Sequence, residues 1–254
     1  MNLLGTILVY ASLAAMLLGC VSVVRPLSFI GIASRQYGIV VFLCGVAVFL
    51  IGVNLPAPEK RIAARTALLD DFLPEYQFAE FHSIRIRAPR ERVFAAIRDV
   101  TANEITLFHT LTWIRRFGRP GAETILNPPP NEPILGVALR SGFMKLAEEP
   151  DLEIVLGTLV VAPPGWRPNK EKKLTPEDFK ALQAPGFALA AINFRVEDAG
   201  HGETLLTTET RIYAVDASTK RKFAVYWRTI YPGSALIRVM WLRAIRRRAE
   251  SGNL

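Results

Sequence analysis

The chain has 254 residues, of which 50% are hydrophobic, and a formal net charge of +8. This length suits one ordinary domain with an appendage, and the apolar surplus lies in residues 1–55. Both cysteines, Cys20 and Cys44, fall in that apolar segment, which excludes a disulfide framework and a cysteine metal cluster.

Two uncharged runs predict a transmembrane hairpin in residues 1–55. Leu3 to Val24 and Tyr37 to Leu55 are each long enough, at about 1.5 Å per residue, to cross a hydrocarbon core roughly 30 Å thick. Small residues such as Gly19 and Gly45 would let the two helices approach closely. A cleaved signal peptide is one alternative, but no Lys or Arg precedes the first run. Two buried core helices are the other, although both runs are apolar on every face.

The basic residues around the hairpin predict its orientation. The short loop carries Arg25 and Arg35, whereas Lys60, Arg61 and Arg65 lie on the side of the termini. By the positive-inside rule, this balance favours cytoplasmic termini. The expected product is an integral protein of the plasma (cell) membrane with its soluble domain in the cytoplasm.

A connector at residues 56–74, with a short helix over 61–72, is expected to lead into a soluble domain at residues 75–254. His82, Ile84 and Ile86 alternate with polar residues, which is typical of a half-buried strand. Pro89 suits the first position of the helix that follows. Thr101 and Glu104 form a capping-box pattern before a second short helix.

The rest of the domain is predicted to be mostly strands. Four prolines in residues 127–133 require a loop, and residues 163–179 are expected to be an exposed insertion. Strand-like runs cover Ser141–Glu148, Leu152–Ala162, Phe187–Glu197 and Glu203–Val215, with a hairpin turn at 198–202. A long helix, broken or kinked at Pro232-Gly233, is expected over Thr219–Glu250.

This order of elements, together with the segment from His82 to Ile97, resembles the START-like or SRPBCC superfamily. The opening strand that ends in Ala88-Pro89 and the helix containing Val93-Phe94 carry the resemblance. It implies an α+β helix-grip fold, in which a curved antiparallel sheet wraps a long C-terminal helix and encloses a cavity. Members bind lipids, sterols, polyketides or other apolar molecules, and some are enzymes, so the fold alone does not fix the function.

Candidate ligand-binding residues lie on the last strand and the long helix. Thr207, Glu209, Arg211 and Tyr213 share one face of a strand. That face either points into the cavity and orients a ligand head group or points to water as an ordinary cross-strand pair. On the helix, the aromatic residues Phe223 and Trp227 fall four residues apart on one face. They either pack in the core or line the cavity, as Phe143 at a strand start would.

Glu104 and His109 complete the candidate set. Glu104 lies either at the cavity rim or in the capping box only. The histidines, His82, His109 and His201, have no metal-ligand spacing, and His82 is given a structural role on the apolar side of its strand. No nucleotide-binding glycine motif occurs, so neither a metal nor a cofactor is predicted.

The C-terminal segment concentrates the positive charge. Nine basic residues and one acid follow Ser218, so this segment carries +8, as much as the whole chain. Contact with anionic lipid head groups is favoured over nucleic-acid binding, because the domain is predicted to be tethered to a bilayer. A solvated positive face near a helix C-terminus is the alternative.

The sequence thus predicts a membrane-anchored module that binds a lipid or another hydrophobic small molecule, with membrane lipids as partners and no nucleic acid. One alternative is a cyclase- or aromatase-like enzyme with Glu209, His109 or Glu104 as the acid or base. The other is a non-catalytic membrane scaffold. The sequence assigns no catalytic residue, protein partner or oligomeric state.

Overall fold

The computed structural model of the chain describes residues 3–167 and 174–251. Its contacts divide the chain into two compact units. The first comprises Met1–Pro58 and Arg221–Tyr231, and the second comprises Glu59–Lys220 and Pro232–Leu254.

The first unit contains a helical pair, α1 (Leu3–Val24) and α2 (Arg35–Asn54). Glycines at the contact let the two backbones approach: a Cβ at Gly19 would lie 2.7 Å from the amide nitrogen of Phe42. Both helices are long and apolar enough to cross a membrane, and only 22% of each apolar window is buried. The two helices expected from the sequence are therefore present.

Residues 221–231 pack against this helical pair through polar contacts at the end of α2. The Arg228 guanidinium donates to the carbonyl oxygens of Val53 and Leu55, at 2.6 Å each. The last carbonyls of a helix have no partner within it, so a cation there satisfies them and complements the helix dipole. The Tyr10 hydroxyl also donates to the carbonyl of Thr229.

The second unit is built on a curved five-stranded antiparallel sheet. In chain order its elements are β1 (Lys60–Arg61), β2 (Glu75–Tyr76), β3 (Phe78–Ile86), α3 (Arg90–Asp99), α4 (Phe108–Arg115), α5 (Ile134–Arg140), β4 (Met144–Glu149), β5 (Glu153–Val161), α6 (Pro176–Ala181), β6 (Ala188–Gly200), β7 (Glu203–Ala214) and α7 (Ala217–Ser251). The strand order is β3-β7-β6-β5-β4, and β1 pairs with β2 separately. β6 and β7 are joined through His201 and Gly202, both at positive φ, as a tight hairpin turn requires.

The sheet has two differently covered faces. On one, which we call the helix face, Ile192, Phe194 and Leu206 pack against Trp241 and Ile245 of α7. On the opposite face, the outer face, β5 and β6 are covered by residues 68–73 and by α6. The residues buried in this second core are Leu69, Phe72, Leu73, Leu146, Val155, Phe179, Leu189 and Ala191. The α+β helix-grip architecture expected from the sequence is confirmed.

Some expected local elements are wrong. The helix expected over residues 61–72 is only a 3₁₀ turn at Leu68–Asp71. The Asp70 carboxylate accepts hydrogen bonds from the Thr66 and Ala67 amides, and this cap makes the turn begin at Leu68 instead of extending towards residue 61. Helix α5 was not expected at all. The stretch 163–179, expected as an exposed insertion, includes the start of α6 with the fully buried Phe179, while 168–173 lie outside the described residues. Helix α7 runs through Pro232 without a break.

Candidate functional site

Packing between α7 and the helix face changes along the helix. From Trp241 to Ala249, the residues that face the sheet are buried. From Ser234 to Met240, every residue of α7 is only half-buried. The interface is therefore closed around Trp241–Ala249 and accessible around Ser234–Met240, and we call the latter the open end.

The side chains of β6 that face α7 also become smaller towards the open end. Along β6, Ile192, Phe194 and Val196 fill the space under the closed part of α7. Earlier in the same strand, Ala188 and Ala190 occupy the equivalent helix-face positions. Small side chains leave unfilled space wherever the facing helix does not come closer.

A buried carboxylate lies on the helix face of β3 at the open end. Glu80 is 3% exposed, and its two oxygens have different partners. One lies 2.8 Å from Nε2 of His82, and the other accepts a hydrogen bond of 3.0 Å from the Ser234 hydroxyl on α7. The carboxylate thus joins an imidazole and a hydroxyl in one network between sheet and helix.

Arg238, one turn after Ser234, has an unsatisfied guanidinium. Its Nη1 is buried and has no hydrogen-bond partner among the described residues. The indole Nε1 of Trp241 is likewise buried and has no partner among them. The guanidinium carbon lies 5.4 Å from the centroid of the Trp241 ring. Burial lowers the pKa of Arg238 to about 10, against the opposing effect of the Glu80 carboxylate. The side chain is therefore charged at neutral pH, with a buried donor that lacks an acceptor.

Two buried donors close to each other thus have no partner in the part of the chain that the structure describes, whereas the great majority of buried polar groups in proteins are hydrogen-bonded. Arg238 Nη1 and Trp241 Nε1 both belong to the helix that bounds the open end. The same segment of α7 also carries half-buried apolar side chains, among them Ile237 and Met240. The arrangement suits a molecule with an apolar body and a hydrogen-bond acceptor.

Glu209 and Arg211, predicted to bind ligand, lie on the outer face, away from α7. The Arg211 guanidinium donates to both carboxylate oxygens of Glu209, at 2.8 and 2.9 Å, and to Asp70 at 2.7 Å. Burial opposes its charge, but the two carboxylates outweigh this and raise the pKa of Arg211. The Arg211 side chain therefore points neither into a space under α7 nor to water, because residues 70–73 cover it.

A neighbouring carboxylate attaches the same turn to the sheet. Glu153, 1% exposed, accepts hydrogen bonds from the Leu68 amide at 2.8 Å and from the Asn193 side chain at 2.7 Å. The carboxylates of Asp70 and Glu153 are thus both engaged in fixing residues 68–71. Such a satisfied network stabilises one arrangement of the chain.

Tyr213, predicted from the sequence to share one strand face with Glu209 and Arg211, lines a small cleft on the outer face. The cleft has a volume of about 190 Å³ and is bounded by residues of the 3₁₀ segment, α6 and the sheet, including Phe72, Lys180 and Leu189. It lies on the opposite side of the sheet from Arg238.

Glu104 and His109 lie near the end of α3 and on α4. The Glu104 carboxylate accepts hydrogen bonds from the Thr101 amide at 2.8 Å and from Arg248 at 3.0 Å. Burial opposes ionisation of Glu104, but these bonds outweigh it and lower its pKa. A carboxylate held ionised in this way is a poor proton donor. His109 is exposed, and its ring contacts the Asn103 side chain at 3.1 Å.

The predicted aromatic residues are divided between the two units. Phe143 is half-buried and packs on the helix-face core of the second unit. Phe223 and Trp227 belong to the first unit, where both are buried and their rings stack with centroids 5.9 Å apart. The structure therefore does not gather the predicted set of residues into one site.

The open-end residues were missed because each has an ordinary local explanation. Glu80 and His82 occupy helix-face positions in β3, where a polar side chain is unusual, and this was the available signal. Ser234 and Arg238 lie four residues apart and so share a helix face. Among the described residues, no group of three or more His, Cys, Asp or Glu could hold a metal ion.

No protein-family model and no curated protein matches the chain. Similar solved structures include a hypothetical protein from Helicobacter pylori, with a TM-score of 0.36 and 9% identity over 75% of this chain and 98% of that one. The Zhui aromatase/cyclase from Streptomyces sp. R1128 has a TM-score of 0.26 and 13% identity, covering 70% of this chain and 99% of that one. Human STARD10 has a TM-score of 0.26 and 9% identity, covering 80% and 78%.

Proposed function

We propose that the chain is a membrane-anchored module that binds a lipid or another hydrophobic small molecule at the open end of the interface between the sheet and α7. The observation that carries this proposal is the buried, charged guanidinium of Arg238, whose Nη1 has no acceptor among the described residues. Leaving a buried donor unpaired costs about 1–3 kcal/mol. An acceptor on a bound molecule would remove that cost.

The surroundings of Arg238 favour an amphiphile over a polar metabolite. Ile84 on β3 and Ile237 and Met240 on α7 are half-buried apolar side chains that pack beside the core at this end. Ligand sites are commonly apolar, with a few polar groups that fix the orientation of the ligand. Arg238 would supply such a group here.

The apolar helices would supply the membrane anchor. With 22 residues in α1 and 20 in α2, they extend about 33 and 30 Å at 1.5 Å per residue, enough for a hydrocarbon core. The close packing of α1 on α2 at Gly19 supports a retained hairpin rather than a cleaved signal peptide. The loop and flanking charges favour cytoplasmic termini in the plasma membrane.

Mass spectrometry of molecules that copurify with the full chain tests the proposal. Lipids around the hairpin will copurify with any variant, so the informative comparison is between Arg238→Met and Arg243→Met. Arg243 lies on the same helix and is exposed. We expect one molecular species to be present in stoichiometric amount in the wild type and in Arg243→Met and to be lost from Arg238→Met. The same lipid profile in all three proteins would refute the assignment of the site.

One observation favours a second function, an enzyme that uses the Glu80–His82 pair. Their 2.8 Å contact at the open end places a carboxylate against an imidazole, an arrangement that can transfer protons. An enzyme would release its product, so Glu80→Gln would accumulate a substrate that differs chemically from anything bound to the wild type. A binding module would hold the same molecule in both proteins.

A further inference from the structure

The end of α4 exposes an apolar surface, which we call the 117 patch: Trp113, Ile114 and Phe117. Their exposed fractions are 57%, 55% and 89%, although large apolar side chains normally avoid water. On the opposite side of α4, Phe108 and Thr112 are buried, so the helix has its own attachment to the domain. The 117 patch is therefore not the inward face of a loosely packed helix.

The backbone holds the 117 patch in a defined shape. Phe117 and Gly118 are both at positive φ, at 53° and 69°, and their amides donate to the carbonyls of Ile114 and Trp113. This is a left-handed helix C-cap, which directs the chain away from the helix axis. A Cβ on Gly118 would lie 3.0 Å from the indole ring of Trp113, so the ring packs over the turn. The turn thus presents Phe117 outward beside a fixed Trp113.

The segment that carries the 117 patch is basic, and the acidic residues that flank it, Glu104 and Glu123, are paired with Arg248 and Arg140. Residues 105–122 contain three arginines and no acidic residue. Arg119 is exposed, and Arg116 lies beside it, with its Nη1 donating to the Arg119 carbonyl at 2.9 Å. Exposed aromatic and aliphatic side chains flanked by arginine are typical of surfaces that enter the head-group region of a bilayer. Each arginine there is also attracted by anionic lipid.

We propose that the 117 patch docks onto the anionic surface of the bilayer that holds the helical hairpin, with Phe117 and Trp113 entering the head-group region. Arg116 and Arg119 contact lipid phosphates. Beyond the hairpin, this gives the second unit its own membrane contact. The inference rests on the proposed membrane anchoring, and its test measures the two separately.

The test uses the full chain in nanodiscs of phosphatidylcholine with or without phosphatidylglycerol, labelled with a nitroxide at one position at a time. The positions are Phe117→Cys, Phe81→Cys and the native Cys44, with the other cysteines replaced by serine. Phe81 is a matched control, because it is 60% exposed on the outer side of β3. Accessibility to oxygen, which concentrates in lipid, is compared with accessibility to a water-soluble nickel complex.

We expect the label at 117 to favour oxygen over nickel several-fold in discs that contain phosphatidylglycerol, and the label at 81 to favour nickel. Replacing Arg116 and Arg119 with glutamine should reduce this oxygen preference at 117. An equal ratio of oxygen to nickel accessibility at positions 117 and 81 in both lipid compositions would overturn the proposal. The 117 patch would then be assigned to contact with a protein. A lipid-exposed label at Cys44 in that experiment would show that the anchoring still holds. A water-exposed label at Cys44 would instead reject the anchoring.

Discussion

Replacement of Arg238 with methionine should make the ligand-free protein more stable while abolishing ligand binding. In the folded chain, burial lowers the pKa of Arg238 from its usual 12.5 to about 10. At about 1.4 kcal/mol per pKa unit, this corresponds to a penalty of about 3 kcal/mol on the charged form. Because pH 7 lies below both values, the penalty is fully present there.

The contact between Arg238 and Trp241 offsets part of this penalty. A cation above an indole ring contributes about 1 kcal/mol at a partly buried site. Methionine also fills a comparable volume without charge. We therefore expect Arg238→Met to raise the free energy of unfolding by about 2 kcal/mol, or Tm by about 4–8 °C for a domain of this size.

Thermal unfolding of the delipidated full chain, followed by near-ultraviolet circular dichroism in detergent, measures the effect. Exposed Arg243 provides the control, and Arg243→Met should leave Tm within about 2 °C of the wild type, as most exposed substitutions do. Adding back the extracted ligand should raise Tm of the wild type but not of Arg238→Met. If the ligand-free Arg238→Met protein is less stable than the wild type, the guanidinium is a structural group and not part of a ligand site.

Two further predictions concern the scaffold. Asp70→Asn should lower the free energy of unfolding by about 3 kcal/mol at pH 7, because it removes one partner of a buried ion pair. The control is Asp71→Asn in the neighbouring, exposed ion pair, which should lower the free energy of unfolding by less than about 1 kcal/mol. Hydrogen bonds and Arg211 overcome the effect of burial and lower the pKa of Asp70, so its contribution is present above about pH 4 and is lost as pH falls through the folded-state value. Thermal unfolding at pH 7 and about pH 3 checks this, and a pH-independent difference would contradict it. Gly19→Leu should separate α1 from α2 and lower Tm in detergent. The control, Ala14→Leu on the exposed side of α1, should lower Tm far less, and equal effects of the two substitutions would argue against the helix contact.

Local periodicity predicted much of the fold. In β6, the alternation of Ala190, Ile192 and Phe194 with Asn193 and Arg195 correctly separated the helix face from the outer face. The uncharged runs predicted α1 and α2, and the long helix expected over Thr219–Glu250 corresponds to α7. These signals come from neighbours within one element, so a single sequence contains them.

The site could not be predicted in the same way. The sequence showed that Glu209 and Arg211 share one strand face, but not which element covers that face. That depends on Asp70, which is 141 residues from Arg211 in the chain and yet 2.7 Å away in space. Conversely, the apolar register of β3 hid Glu80, whose partner Ser234 is 154 residues distant.

Photo-crosslinking in native membranes would detect a lipid bound between the sheet and α7 directly. The full chain is expressed with p-benzoylphenylalanine at Ile237, which is half-buried at the open end, or at Phe81, which is exposed on the outer side of β3. After irradiation, we expect a lipid-sized adduct on the α7 peptide containing position 237 and none at position 81. A folded protein without an adduct at 237, or with equal adducts at both positions, would contradict a ligand site between the sheet and α7.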